Sequence, residues 1–440
     1  MKPYETVIGI EVHVELNTSS KMFCRCSANY FGAEPNTHTC PVCLGLPGAL
    51  PVINNEAINK CIQIGLALGC EINKTSYFER KNYFYPDLAK GFQTSQLILP
   101  IAVKGEIEVE DEKGNKKKIR INRAHQEEDT GKLTHQGNET LIDFNRSSVP
   151  LVEIVTEPDF NNPLEVRDYA KKLQQIFRYL GVSNADMEKG EMRLEANVSV
   201  REVGDTKLPP YRVELKNINS FRFMVAAIEY EIKRQIEATE KGEKLVQETR
   251  GWDQVKKRTY VQRSKEEAHD YRYFPEPDLP ELRIEESRVE LLKMGLPELP
   301  QGKVTRYVND LKIKEIDAKI LVDSKELADF FESVVEHGKA HEVGAQQIAN
   351  FIINQKPDIE VILPTQIIEE IKNKKVGAIE GEAELEEYAK EVLVENQAMV
   401  EQYKGGKTTV IMAFVGAVMK KTAGKANAQK TKEILEKLLA

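Results

Sequence analysis

Residues 141–159, LIDFNRSSVPLVEIVTEPD, decide how the rest of the chain is read. They sink Glu153 between Leu151, Val152, Ile154 and Val155, in a run apolar enough to be a buried strand. Glu157-Pro158-Asp159 ends that run with more negative charge. A carboxylate isolated from water is costly, so Glu153 calls for a cation, a hydrogen-bond network or a raised pKa. An ion pair with an arginine is the bland expectation, and Arg146 is close in sequence.

Other segments alternate strictly. In VIGIEVHVEL, Ile8, Ile10, Val12, Val14 and Leu16 face one way, and Glu11, His13 and Glu15 face the other. RLEANVSVR sets Leu194, Ala196, Val198 and Val200 against Arg193, Glu195, Asn197, Ser199 and Arg201. YRVELK repeats the pattern, with Tyr211, Val213 and Leu215 opposite Arg212, Glu214 and Lys216. Such alternation suits an antiparallel sheet covered on one side. A solvated polar face explains any one of these strands. Taken with buried Glu153, their carboxylates, amide and histidine predict a shared site. Hard oxygen ligands with one imidazole suit Mg²⁺.

Between the strands the period changes. Asn162-Pro163-Leu164-Glu165 is a helix start, with a cap, an early proline and a glutamate. It opens a helix with Val166, Tyr169, Leu173, Ile176, Phe177 and Leu180 on one stripe. Prolines 275, 277, 280, 297 and 300 mark a boundary, and the pattern after them is helical. The expected fold class is α+β: a mixed, cradle-like domain on antiparallel sheet, followed by all-α helical and tail domains.

Cys24-Arg-Cys26 and Cys40-Pro-Val-Cys43 form two short-spaced thiol pairs joined by a loop. That is what a tetrahedral Zn²⁺ site requires, and closure by four thiolates makes it structural rather than catalytic. Nearby His38 is the substitute ligand to weigh, while Cys61 and Cys70 read as small core residues.

Length and charge bound the rest. A chain of 440 residues implies about two or three domains. Charged residues make up 30%, and no apolar run approaches the roughly 20 residues that span a bilayer. Glu5, Glu11 and Glu15 break any signal-peptide core, so a cytoplasmic protein is expected, with no membrane partner. Net charge is −8, which argues against a general nucleic-acid coat. Residues 403–440 differ, holding eight lysines against two glutamates, a local +6 suited to phosphate contacts. There is no complete phosphate-binding loop, although YKGGKTT at 403–409 approaches the ending of one. Nor is there a glycine- and serine-rich amidase stretch, or a cysteine arranged as a glutaminase nucleophile.

The segments Asp143-x-Asn145-Arg146 and Pro150-Leu-x-Glu-Ile-Val-x-Glu-Pro-Asp159 also resemble the signature of the B subunit of the bacterial aspartyl/glutamyl-tRNA(Asn/Gln) amidotransferases. ETVIGIEVHVEL at 5–16, RKNYFYPD at 80–87, HQEED at 125–129, RVELKNINSF at 212–221 and DYRYFPEPDL at 270–279 match independently. Ser148 stands where that family usually has glycine, and a serine bears a cost at positive φ that glycine does not.

The resemblance implies ATP- and Mg²⁺-dependent phosphorylation of the side-chain carboxylate of Glu-tRNA(Gln), leaving Asp-tRNA(Asn) open as a second substrate. Amidation would follow, with ammonia from a partner amidase (glutaminase), the A subunit, in a complex completed by a small linker, the C subunit. By family motif, Glu11, His13, Glu128, Glu153 and Glu214 fall where the metal and channel-mouth residues lie, with Glu127 a close competitor for Glu128. Glu11, His13, Glu128 and Glu153 form the expected Mg²⁺ set, and Glu128, Glu153 and Glu214 the catalytic carboxylates. Lys81 and Lys90 fall along the ammonia passage. From charge, Arg193, Lys216 and Asn217 would hold ATP phosphates or the substrate carboxylate. The tail resembles the part that grips tRNA, which assigns that task to Lys404, Lys407, Lys420, Lys421 and Lys425; Ala417 and Ala428 depart from its pattern. Implied domains are 1–292 for the cradle with its zinc loop (24–43), 293–358 for the helical domain and 359–440 for a tail shortened between about 355 and 390. A non-catalytic tRNA-binding scaffold in the same complex is the alternative. The archaeal E-type relative would need an inserted domain, for which the chain has no room.

Overall fold

The computed structural model describes residues 4–111, 113–264, 271–376, 381–422 and 425–439. The alternating segment near the start becomes strand β1 (Tyr4–Glu15), with Ile8, Ile10, Val12 and Val14 sealed from solvent. Eight more strands build one sheet with it: β2 (Glu71–Ile72), β3 (Ala102–Glu110), β4 (Lys116–Glu128), β5 (Pro150–Thr156), β6 (Met192–Glu202), β7 (Val213–Ile218), β8 (Glu248–Asp253) and β9 (Arg258–Ser264). Their spatial order is β9-β8-β7-β6-β1-β5-β4-β3-β2. Every pairing is antiparallel except β7 with β8.

The apolar face is covered by helices α1 (Asn55–Ala67), α2 (Pro163–Leu180) and α3 (Phe221–Glu240). Asn162 caps α2 by accepting from the Leu164 N–H, with Pro163 in the first turn. Gly181 ends the helix at φ +64°, where a side chain would be strained. The stripe Val166, Tyr169, Leu173, Ile176 and Phe177 is buried as its spacing requires, with Tyr179 beside it, while Leu180 is only partly covered. Removing the Phe177 ring would leave a cavity costing about 3–5 kcal/mol.

The chain divides into two compact units, Met1–Pro300 and Gln301–Ala440. The first closes with α4 (Glu286–Met294). The second holds α5 (Pro300–Asn309), α6 (Glu315–Leu321), α7 (Lys325–Lys339), α8 (Ala345–Gln355), α9 (Pro364–Val376), α10 (Glu382–Glu395), α11 (Gln397–Lys404), α12 (Ile411–Lys421) and α13 (Ala428–Leu439). The packing shifts one expected division. Ile367, Ile368 and Ile371 of α9 share a core with Phe331 and Ile348, so the helical core continues past residue 359. A separate core joins Leu385, Phe414, Val418 and Leu435. No described helix is long and apolar enough to cross a membrane.

Candidate functional site

Register assembles the polar face of the sheet. Residues directly opposite one another on paired strands point to the same side. His13 lies opposite Glu153 on β5 and Arg193 on β6, and Glu11 lies opposite Glu195. Glu153 in turn lies opposite His125 on β4, and Asn197 opposite Glu214 on β7. Five neighbouring strands therefore present acids and imidazoles on one surface.

Two groups converge there. His13, Glu127 and Glu153 offer ligand atoms all within 4.8 Å of one another, and so do Glu11, Glu195 and Glu214. His13 Nε2 is 3.8 Å from both Glu127 and Glu153. His125 Nε2 lies 3.1 Å from Glu153 and 3.5 Å from Glu127. Burial opposes the charge on His125, but Glu153 and Glu127 outweigh it and raise the imidazole to about 9. Burial likewise opposes the Glu153 charge, yet His125 and His13 hold that carboxyl well below its usual range. Burial, followed by repulsion from Glu153, Glu195 and Glu214, pushes Glu11 up. A divalent cation would relieve that repulsion, so the donor set fits one.

The partners of Glu153 differ from the arginine pair expected from sequence. Arg146 donates instead to the carbonyls of Thr130 and Gly131, 2.9 Å each, and approaches Asp129 at 3.6 Å. Glu128 also departs from the expected metal set. Its carboxylate is taken by the Lys90 ammonium and by the Thr94 N–H at 2.8 Å, and Glu127 occupies the place beside His13 and Glu153. Neighbours one residue apart on a strand face opposite ways, and pairing with β5 turns Glu127 inward. Ser95 Oγ donates to Glu127 at 2.6 Å.

The expected cations are placed unequally. Burial works against the Lys81 charge, but Glu127, Tyr273 and Glu153 keep that ammonium protonated; it also lies 5.2 Å from the Tyr271 ring centroid. Lys90 is bound to Glu128 and to Thr94 Oγ1 at 3.1 Å. Arg193, expected at phosphates, grips buried Asp129 through two nitrogens at 2.6 and 3.3 Å. Burial and Asp129 together push the neighbouring Glu15 carboxyl well up. Lys216 sits 2.8 Å from Glu195 and 3.3 Å from Glu214. The Asn217 side chain and Asp270 lie outside the described residues. Sequence reasoning missed His125, Asp129 and the pairing of Glu195 with Glu214; the period-2 spacing of His125, Glu127 and Asp129 was the available signal.

Two cavities flank this row, about 480 Å³ beside Glu11 and about 450 Å³ beside Glu15. Leu208, Pro209 and Pro210 wall the first.

The four expected thiols gather. Cys24, Cys26, Cys40 and Cys43 bring their sulfurs within 4.8 Å of one another, and the Cys40 N–H points at Cys43 Sγ, 3.1 Å away. A hydrogen bond from Cys24, with Lys21 nearby, takes the Cys43 thiol down to about 5 although burial opposes it. Lys21 is fully buried; its ammonium lies 3.7 Å from Cys43 Sγ and donates to the carbonyls of His38 at 2.7 Å and Phe144 at 3.3 Å. Four thiolates around Zn²⁺ carry a net double negative charge, and a buried ammonium offsets half of it. The site fits the ion. His38 contributes its backbone rather than its ring to this arrangement, donating N–H to Asn145 at 2.7 Å. Asn145 donates in turn to the Glu34 carbonyl, and the Asn36 side chain bridges Ile142 and Phe144, so the thiol loop is laced to the turn before β5. Within that turn Ser148 has φ +70°, the conformation that suits glycine.

In the tail, Lys404, Lys407, Lys420 and Lys425 are exposed. Lys421 is held by Glu391 at 2.6 Å and Glu395 at 2.7 Å.

Residues 6–290 match the family described as the GatB/GatE catalytic domain, and 299–439 match the GatB domain. The aspartyl/glutamyl-tRNA(Asn/Gln) amidotransferase B subunit of Persephonella marina is 44% identical over 479 aligned residues, covering 99% of each chain. That of Thermotoga maritima is 44% identical over 486, again 99% of each. That of Dehalococcoides mccartyi strain CBDB1 is 43% identical over 491, covering 100% of this chain and 99% of its own.

Proposed function

From the premise that this chain belongs to the GatB/GatE family, as a B subunit of the tRNA-dependent amidotransferases, we propose that it carries the ATP-dependent half of the reaction. The carboxylate oxygen of Glu-tRNA(Gln), or of Asp-tRNA(Asn), attacks the γ-phosphorus of ATP, and ADP leaves. Ammonia then attacks the acyl-phosphate carbon; phosphate departs, a proton is released and the amide remains. The observation that carries this reading is the convergence of His13, Glu127 and Glu153, next to Glu11, Glu195 and Glu214.

His13, Glu127 and Glu153 would hold Mg²⁺, and the Glu11 group is suited to a second ion. Bound Mg²⁺ neutralises charge on the transferring phosphoryl group, the largest task in such chemistry. His125 keeps Glu127 and Glu153 ionised and aimed. Lys81, beside both carboxylates, stands where an incoming ammonia would be steered, with Lys90 and Glu128 further along and Glu214 at the second group. Lys216 is the cation for ATP phosphates or the substrate carboxylate, a role the sequence also assigns to Asn217. The cavity at Glu11, with its apolar wall, suits the nucleoside of ATP. The four cysteines hold a structural Zn²⁺. Ammonia comes from the amidase, the A subunit, while the small linker, the C subunit, completes the complex in the cytoplasm. Lys404, Lys407, Lys420 and Lys425 contact tRNA phosphates, and Lys421 joins them if tRNA displaces its glutamates.

Glu153→Gln or His13→Ala is expected to abolish amidation while leaving tRNA affinity within a few-fold. Equal loss of both would assign these residues to folding. Hydrolysis of ATP dependent on Glu-tRNA separates the enzyme from a non-catalytic scaffold.

A further inference from the structure

The cavity of about 450 Å³ at the Glu15 end of β1 has no role in the reading above. Its volume lies within the range of small-molecule sites. Leu16 and Val149 form its buried floor, and Phe31, from the loop between the two cysteine pairs, stands at its rim, 65% exposed. The Lys189 ammonium lies 5.5 Å over the Phe31 ring. An exposed ring beside a cation is how proteins hold single-stranded nucleic-acid ends, by stacking the base and meeting the backbone phosphate. Three carboxylates on the lining are already partnered: Glu15 by the Tyr30 hydroxyl at 3.1 Å, Glu56 by Lys60 at 3.2 Å, and Glu191 by the Asp186 N–H at 3.1 Å.

Position along β1 supplies the second strand of reasoning. Glu15, on this cavity, is two residues from His13, a strand step of about 6.8 Å. A glutamyl side chain extends its carboxylate about 5–6 Å beyond the ester carbonyl, four carbon–carbon bonds away. The two lengths match. The other cavity lies at the opposite end of the row, beside Glu11.

We propose that the Glu15 cavity seats the 3′-terminal nucleoside of the aminoacylated RNA, its base against Phe31 and its 5′-phosphate toward Lys189, so that the esterified carboxylate reaches His13 and Glu153. ATP would then approach from the far end, and the two substrates meet between the cavities. This assignment rests on the amidotransferase reading.

The test measures tRNA affinity of the full-length protein in its native assembly, with intact tRNA and with tRNA lacking its terminal nucleotide. Wild type, Phe31→Ala and Phe31→Trp are compared. Removing the terminal nucleotide from the RNA, or the ring from the protein, is expected to weaken binding about tenfold, and the two together no more than either alone. Tryptophan should restore affinity. Additive losses, or no loss from Phe31→Ala, overturn the assignment. So does a rise in the KM for ATP with tRNA affinity unchanged, which would give the cavity to the nucleotide. Wild-type ATP hydrolysis that fails to respond to aminoacyl-tRNA would instead sink the underlying reading.

Discussion

Arg193→Met should destabilise the first unit without touching any group proposed to hold metal. In the wild type, Asp129 is nearly sealed from water and receives two guanidinium nitrogens from Arg193, the shorter contact being 2.6 Å. Breaking a buried pair from one side costs about 3–5 kcal/mol, since the remaining charge loses its partner. Two features lower that figure. The Arg193 side chain is 33% exposed, so its pairing is partly screened, and Arg146 remains 3.6 Å from Asp129. A loss of about 2–3 kcal/mol is expected at pH 7, which lowers the melting temperature of that 300-residue unit by about 3–5 °C. The pH dependence follows from Asp129. Burial opposes its charge, but Arg146 and Arg193 overcome this and hold the carboxyl well below its usual value. Its contribution is therefore complete above the ordinary carboxylate range and is lost as pH falls from there toward the lowered value, so variant and wild type only begin to converge below about pH 4. Calorimetry from pH 3 to 8 reads both quantities. Adding Asp129→Asn should recover most of the loss, because no buried charge is then stranded. Unchanged stability with a raised KM for ATP or tRNA would refute this account and return Arg193 to substrate binding.

Titration with Mg²⁺ or Mn²⁺ should show Glu127→Gln weakening metal affinity by at least about tenfold, with Glu128→Gln having little effect; the reverse order would undo the ligand set. Elemental analysis is expected to find one zinc per chain. Cys24→Ser should lose it and speed amide exchange at 34–38 and 142–147, whereas unchanged exchange there would mean that the metal does not brace the turn. In protein stripped of divalent cations, His125 bears its raised value of about 9 against an ordinary 6.5. Its stabilisation is complete below about pH 6.5 and is lost as pH rises through about 9, a fall on the order of 3 kcal/mol that His125→Gln should erase.

What the sequence disclosed divides by range of interaction. Alternation in β1, β6 and β7 is a local consequence of the pleat, so Glu11, His13, Glu195 and Glu214 could be put on one face before any pairing was known. The α2 stripe and its Asn162 cap are local in the same way, and so is the thiol spacing. Ser148, which put the geometry of its turn in question by standing where the family usually has glycine, nevertheless takes the glycine-like conformation, with φ +70°. Choosing between Glu127 and Glu128 was not local. Residues 124–128 are buried on both faces of β4, so no solvent-facing side marks the alternation, and only the register with β5 decides. Arg193 has the same lesson: its charge suggested a phosphate partner, but Asp129 lies 64 residues away in sequence and its approach depends on strand order. The helical core running past residue 359 rests on α9 packing against α7 and α8, which a polar, weakly striped segment does not announce.

Five carboxylates and two imidazoles stand on adjoining strands, anchored by the main-chain ladder rather than by loops. Nothing has to swing shut to gather them. On the proposed reading, capture of an ion can thus precede arrival of the RNA, and the protein would wait, already armed, for its cargo to be threaded into place.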